Sequence, residues 1–120
     1  MNPRHTYIAD LCSRLPDAPA DSIISQTLFS DRDVKAILFG FAAGQELSEH
    51  TASMPAVLHI LKGEARLTLG GDSIEAAAGA WAHMPPNLPH SIIAKTPVTL
   101  LLLLLKPGRK EPSAGTARQG

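Results

Sequence analysis

The stretch from Gly44 to Ala94, GQELSEHTASMPAVLHILKGEARLTLGGDSIEAAAGAWAHMPPNLPHSIIA, decides the fold. It is cut into short apolar runs by turn-forming residues. AVLHIL and ARLTL are separated by Lys62-Gly63-Glu64, a tight hairpin signal, and Gly70-Gly71-Asp72 turns the chain again before SIEA. AWAHM and HSIIA follow, divided by a loop whose prolines Pro85, Pro86 and Pro89 restrict the backbone. Turn signals arrive about every ten residues, and no segment after residue 22 sustains a helical period, so the pattern predicts an all-β sandwich or barrel.

The same reading extends outward on both sides. Upstream, SIISQTLF and VKAILFGFA are β-branched and apolar runs divided by the polar SDRD, and downstream lies VTLLLLLL. Residues 22–106 are thus expected to form the barrel. Residues 1–21 form an N-terminal extension in which Tyr7, Leu11 and Leu15 recur every four positions, the spacing of a short amphipathic helix before Pro16. Residues 107–120, PGRKEPSAGTARQG, have almost no large apolar side chain to offset the entropy of ordering and are expected to be a mobile tail.

Composition limits the functional classes. A chain of 120 residues is one domain's worth, and at 44% apolar it is globular, with a mostly aliphatic core since only 4% is aromatic. Eleven basic and eleven acidic side chains cancel, which removes the electrostatic motive for nucleic acid or an anionic membrane surface. The longest apolar run, Val98 to Leu105, falls far short of the roughly 20 residues of a membrane helix. Cys12 has no partner for an internal disulfide, and charged residues interrupt the first twenty positions where a signal peptide would be apolar. A soluble, cytoplasmic protein is expected.

Strand alternation assigns faces. In AVLHIL, Ala56, Leu58 and Ile60 share one side while Val57, His59 and Leu61 share the other, and both sides are largely apolar. A barrel strand has one inner face, so the outer one needs a cover. A homodimer is the expected cover, with a packed N-terminal helix within one chain as the alternative.

Gly44, five residues, His50, and later Gly63 resemble the first motif of the cupins. Gly79, Pro85, Asn87, His90 and Ala94 stand at the positions of the second, fifteen residues after the first. Both motifs in order resemble the small single-domain bacterial cupins of the RmlC-like superfamily, over residues 34 to 106. The resemblance implies a double-stranded β-helix (jelly-roll) barrel with His50 and His90 in one interior chamber. It also implies a family metal set of three His and one Glu, of which His50 and His90 match the first and last. Ala52 stands in place of the second His and Ala56 in place of the Glu, so half the ligands are gone, including the carboxylate of a two-His-one-carboxylate iron site.

Substitute ligands are few. His59 has the wrong parity for the cavity, His83 lies on a strand whose register the sequence does not fix, and Met54 shares the parity of His50 but adjoins Pro55; a His-Met-His copper(I) site is one reading of it. Glu46 and Glu49 read as surface charges, and no nucleophile elbow, phosphate loop or dinucleotide fingerprint is present. The expected function is binding of a small organic molecule by His50, Ala52, Ala56, Leu58, Ile60 and His90, with or without one divalent metal ion on His50 and His90. The alternative is a metal-dependent enzyme of isomerase, decarboxylase or lyase type acting on a small organic substrate, the ion serving as Lewis acid.

Overall fold

The structure, a computed structural model, describes residues 4–106. Nine strands make up almost all of its regular structure: β1 (Ile23–Ser30), β2 (Val34–Phe41), β3 (Glu46–His50), β4 (Ala56–Lys62), β5 (Glu64–Leu69), β6 (Asp72–Ala77), β7 (Trp81–Met84), β8 (His90–Ala94) and β9 (Val98–Leu105). They form two antiparallel sheets, one in the order β1-β2-β9-β4-β7 and one in the order β3-β8-β5-β6. Strands distant in sequence are interleaved, β9 between β2 and β4 and β8 between β3 and β5, which is the jelly-roll arrangement.

The sheets bury a common aliphatic core. Leu58, Ile60 and Leu100 from the five-stranded sheet pack with Ala65, Leu67, Ile92 and Ala94 from the other. Pairing Ala56↔Leu104, Leu58↔Leu102 and Ile60↔Leu100 puts the even-numbered leucines of β9 on the inner face. Leu101 and Leu103 are thereby turned outward, as alternation requires.

The outer apolar face is covered in part by the chain itself, though not by a helix. Among the described residues only Leu11–Arg14 is helical, a single 3-10 turn, and residues 4–10 and 15–21 have no helix or strand. The fourfold spacing of Tyr7, Leu11 and Leu15 therefore misleads: Tyr7 is 80% exposed, and a segment this short, ended by Pro16, cannot offset the cost of helix nucleation. Instead the extension lies as a strap over the sheet. Ile8 and Leu11 line a groove with Leu28, Ala36, Leu101 and Leu103, and Leu15 reaches over Gly40, where an added Cβ would meet its Cδ2 at 3.2 Å. The strap leaves β7 uncovered, with Trp81 62% exposed at the sheet edge. The 107–120 tail lies outside the described residues.

The turns bear out their residue chemistry, but the hairpin expected at Lys62-Gly63-Glu64 does not form: β4 pairs with β7 and β9, β5 with β6 and β8, and the chain crosses there from one sheet to the other. Asp31, between β1 and β2, accepts hydrogen bonds from the amides of Asp33 (2.8 Å) and Val34 (3.0 Å), which hold its carboxyl below the usual carboxylate range. Gly63, between β4 and β5, has φ +91°, and a Cβ there would lie 2.1 Å from the carbonyl oxygen of Pro97. Only glycine meets both demands.

Candidate functional site

His50 ends β3 and His90 begins β8, and the two are direct cross-strand partners. Simple alternation from Leu47, which faces the interior, would turn His50 away. A bulge prevents this: Leu47 pairs with Ile92 and His50 with His90, so two residues of β3, Ser48 and Glu49, oppose the single Ser91 of β8. The extra residue resets the parity and brings both Leu47 and His50 inward.

The imidazoles lie with ring centroids 4.2 Å apart and planes inclined by 57°. Each is fixed by its own backbone. Nδ1 of His50 is 2.8 Å from the carbonyl oxygen of Ser48, and Nδ1 of His90 is 2.8 Å from that of Leu88. A carbonyl only accepts, so each Nδ1 carries the hydrogen and donates it. In the neutral form of either ring the Nε2 lone pair is then left for something else.

The two rings, His90 half-buried and His50 exposed, line a chamber with two lobes that share His50, Met84, His90 and Leu102. The inner lobe, about 80 Å³, is walled by Leu58, by Phe39, Leu47, Leu69, Ile92 and Leu100, and by Ser91. The outer lobe, about 190 Å³, is walled by Ala52, Met54, Ala56, Pro85, Leu88 and Leu104. No acidic or basic side chain other than the imidazoles lines either lobe among the described residues. Ile60 is fully buried in the core and belongs to neither wall.

Two loops frame the opening. The amide of Asn87 donates to the carbonyl of Ala52 at 2.7 Å, and that of Leu105 donates to the carbonyl of Pro55 at 2.9 Å. Asn87 has φ +67°, a left-handed conformation that Asn tolerates better than most residues. Larger hollows exist, the groove of about 570 Å³ under the strap and one of about 470 Å³ beside Cys12 and Lys62. Neither brings together two fixed polar atoms as the histidine chamber does.

The remaining candidates divide by strand pairing. Val57 pairs with His83 and His59 with Trp81, so both histidines occupy the outer face, His83 exposed and His59 half-buried. The same pairing, Ala56↔Met84, sends Met84 inward. Sequence reasoning missed Met84 because β7 alone carries too few residues to set its own register. The partner strand was the signal. Glu46 and Glu49 are exposed.

A family model described as the cupin domain matches residues 37–106. The chain is a cupin. A search among curated proteins found no match. Among solved structures, the cupin is similar to a conserved protein of unknown function from Streptococcus pyogenes, at 28% identity and TM-score 0.77 over 91% of this chain and 95% of that one. It is also similar to a cupin superfamily protein from Desulfitobacterium hafniense, at 26% identity and TM-score 0.77 over 88% and 94% of the two chains. KdgF from Halomonas sp., at 15% identity and TM-score 0.71 over 80% and 92%, shares the fold.

Cupins often hold a metal ion between such histidines. Here no group of three or more His, Cys, Asp or Glu comes together among the described residues. Ala52 and Ala56, facing the outer lobe beside both imidazoles, supply space where ligands would be needed. Two neutral imidazoles without a carboxylate do not fit a resident hard divalent ion, which favours oxygen ligands and compensating charge.

Proposed function

We propose that this cupin binds a small organic molecule in the chamber beneath His50 and His90, its polar end anchored by the two Nε2 atoms and its apolar part held by Ala52, Ala56 and Leu58. The observation that carries this reading is the pair of backbone-fixed rings, each lining a largely apolar hollow and each with one ring nitrogen that its own backbone does not use. Such a site selects a donor-bearing group, a hydroxyl or an N–H, on a compact body. Lobes of about 80 and 190 Å³ are smaller than the roughly 300–1,000 Å³ of drug-sized sites, so the ligand has few heavy atoms. A divalent ion would find two ligands here and would have to take the others from water or from the bound molecule, so this reading requires no divalent ion. No helix among the described residues is long and apolar enough to cross a membrane, and the single Cys12 suits a cytoplasmic, reducing setting.

The test is an NMR titration of the isotopically labelled protein with a panel of small alcohols, phenols and hydroxyketones. At least one fragment is expected to shift the amides around Leu58, Met84 and Ile92. Removing either acceptor, in His50→Ala or His90→Ala, should weaken that fragment about tenfold, the worth of one buried hydrogen bond. Shifts confined to the groove under the strap, or affinities unchanged in both variants, would refute the assignment.

The proposed working form is a homodimer. The strap covers β1, β2 and β9 but leaves Trp81 exposed on the edge strand β7, beside His59 and His83 on the outer face. A second copy packed on that face would bury a large aromatic and protect an open strand edge. Light scattering should give twice the chain mass for the parent protein and the single chain mass for Trp81→Glu. A monomeric parent would overturn the dimer.

A further inference from the structure

Two thioethers face the same chamber as the imidazole pair, and small-molecule binding uses neither. Met84 is buried at 2% exposure and lines both lobes, and Met54, half-buried in the loop between β3 and β4, lines the outer lobe with His50 and His90. The side-chain donors that line the outer lobe are all neutral: the imidazoles of His50 and His90 and the thioethers of Met54 and Met84. Thioether sulfur is a soft ligand that selects copper(I), whereas imidazole accepts most first-row ions and no side-chain oxygen of the kind hard ions prefer lines the outer lobe. Charge points the same way. The cost of carrying an ion into an apolar hollow rises with the square of its charge, so a monovalent ion pays about one quarter of the penalty of a divalent one where no carboxylate offsets it.

We infer that the chamber is a copper(I) site, the ion held by the Nε2 atoms of His50 and His90 and the sulfurs of Met54 and Met84. The inference rests on the reading of the chamber as the binding site and names an ion that this donor set favours. The bulge at Ser48–Glu49 and the carbonyls of Ser48 and Leu88 pre-orient the imidazoles without charge, so an ion arriving there need displace no hydrogen from Nε2.

The test uses the untagged full chain under anaerobic conditions in a Cys12→Ser background, which removes the soft thiol at the hollow beside Lys62. Copper(I) is titrated against a chromophoric chelator, zinc(II) is titrated in parallel, and the copper-loaded protein is examined by X-ray absorption. The expected result is one copper(I) per chain, bound more tightly than zinc(II), with both nitrogen and sulfur scatterers. The double variant Met54→Leu/Met84→Leu, checked for an unchanged fold by circular dichroism, should lose the sulfur signal and about tenfold in affinity. His50→Ala should lose about a hundredfold. Absence of sulfur scattering, preference for zinc(II), or unchanged affinity in the methionine variant would each overturn the inference. Fragment binding by the copper-free protein separates the two readings. If fragments bind and copper(I) does not, the copper site alone falls; if neither binds, the chamber itself is misassigned.

Discussion

Ala52→His/Ala56→Glu should convert this protein into one that purifies with close to one divalent ion per chain, against almost none for the parent. Both alanines face the outer lobe beside the imidazole pair, and they occupy the two positions at which the chain departs from the three-His, one-Glu set of its family. The substitution adds the missing imidazole and, more consequentially, a carboxylate that compensates the ion's charge. Affinity for nickel(II) or zinc(II) should rise by at least about a hundredfold. The apo variant should suffer. Ala56 is only 3% exposed, and a carboxylate buried there without a partner costs several kcal/mol or stays protonated. The thermal midpoint should therefore fall in the presence of a chelator and recover when metal is added, since a ligand that binds only the folded state stabilises it. Metal content no higher than in the parent, in a variant that still folds, would mean that the chamber does not present these four positions to one point.

Gly63→Ala is the second large effect, and it acts on folding. Its Cβ would lie 2.1 Å from the Pro97 carbonyl oxygen, which belongs to backbone and has no rotamer by which to yield, and φ is +91°. Strain and overpacking together should cost about 3 kcal/mol or more, a drop of roughly 12 °C or more in the midpoint of a domain this size. Gly79→Ala is the control. Its φ is +96° but nothing lies within 4 Å of the added Cβ, so it should lose only the conformational part, about 1 kcal/mol. Equal losses at the two sites, measured by urea denaturation, would show that the Pro97 contact contributes nothing.

Much of the barrel was legible because its information is local. Gly70 marks the β5–β6 hairpin, Gly63 and Gly79 mark the turns at which the chain crosses from one sheet to the other, and alternation in β4 sorts Leu58, in the chamber wall, from His59, on the outer face. The spacing from Gly44 to His50 and from Gly79 to His90 carried the family resemblance, and the family model matches this region. What could not be read depends on pairing between strands. The bulge that turns His50 inward exists only relative to β8. Met84 was invisible until Ala56 became its partner. Ile60 has the same parity as Leu58 but lies deeper, in the core below the hollow, because parity gives a side chain's direction and says nothing of its depth. The strap defeated a helical periodicity of three residues because packing on the sheet outweighed propensity.

The bond from Asn87 to Ala52 joins the two segments that border the entrance, and Pro55, Pro85, Pro86 and Pro89 stiffen them. The entrance therefore behaves as a hoop and not as a pair of independent flaps. On the proposed reading such a rim favours compact, unbranched molecules, because a stiff border cannot widen to admit a bulky one.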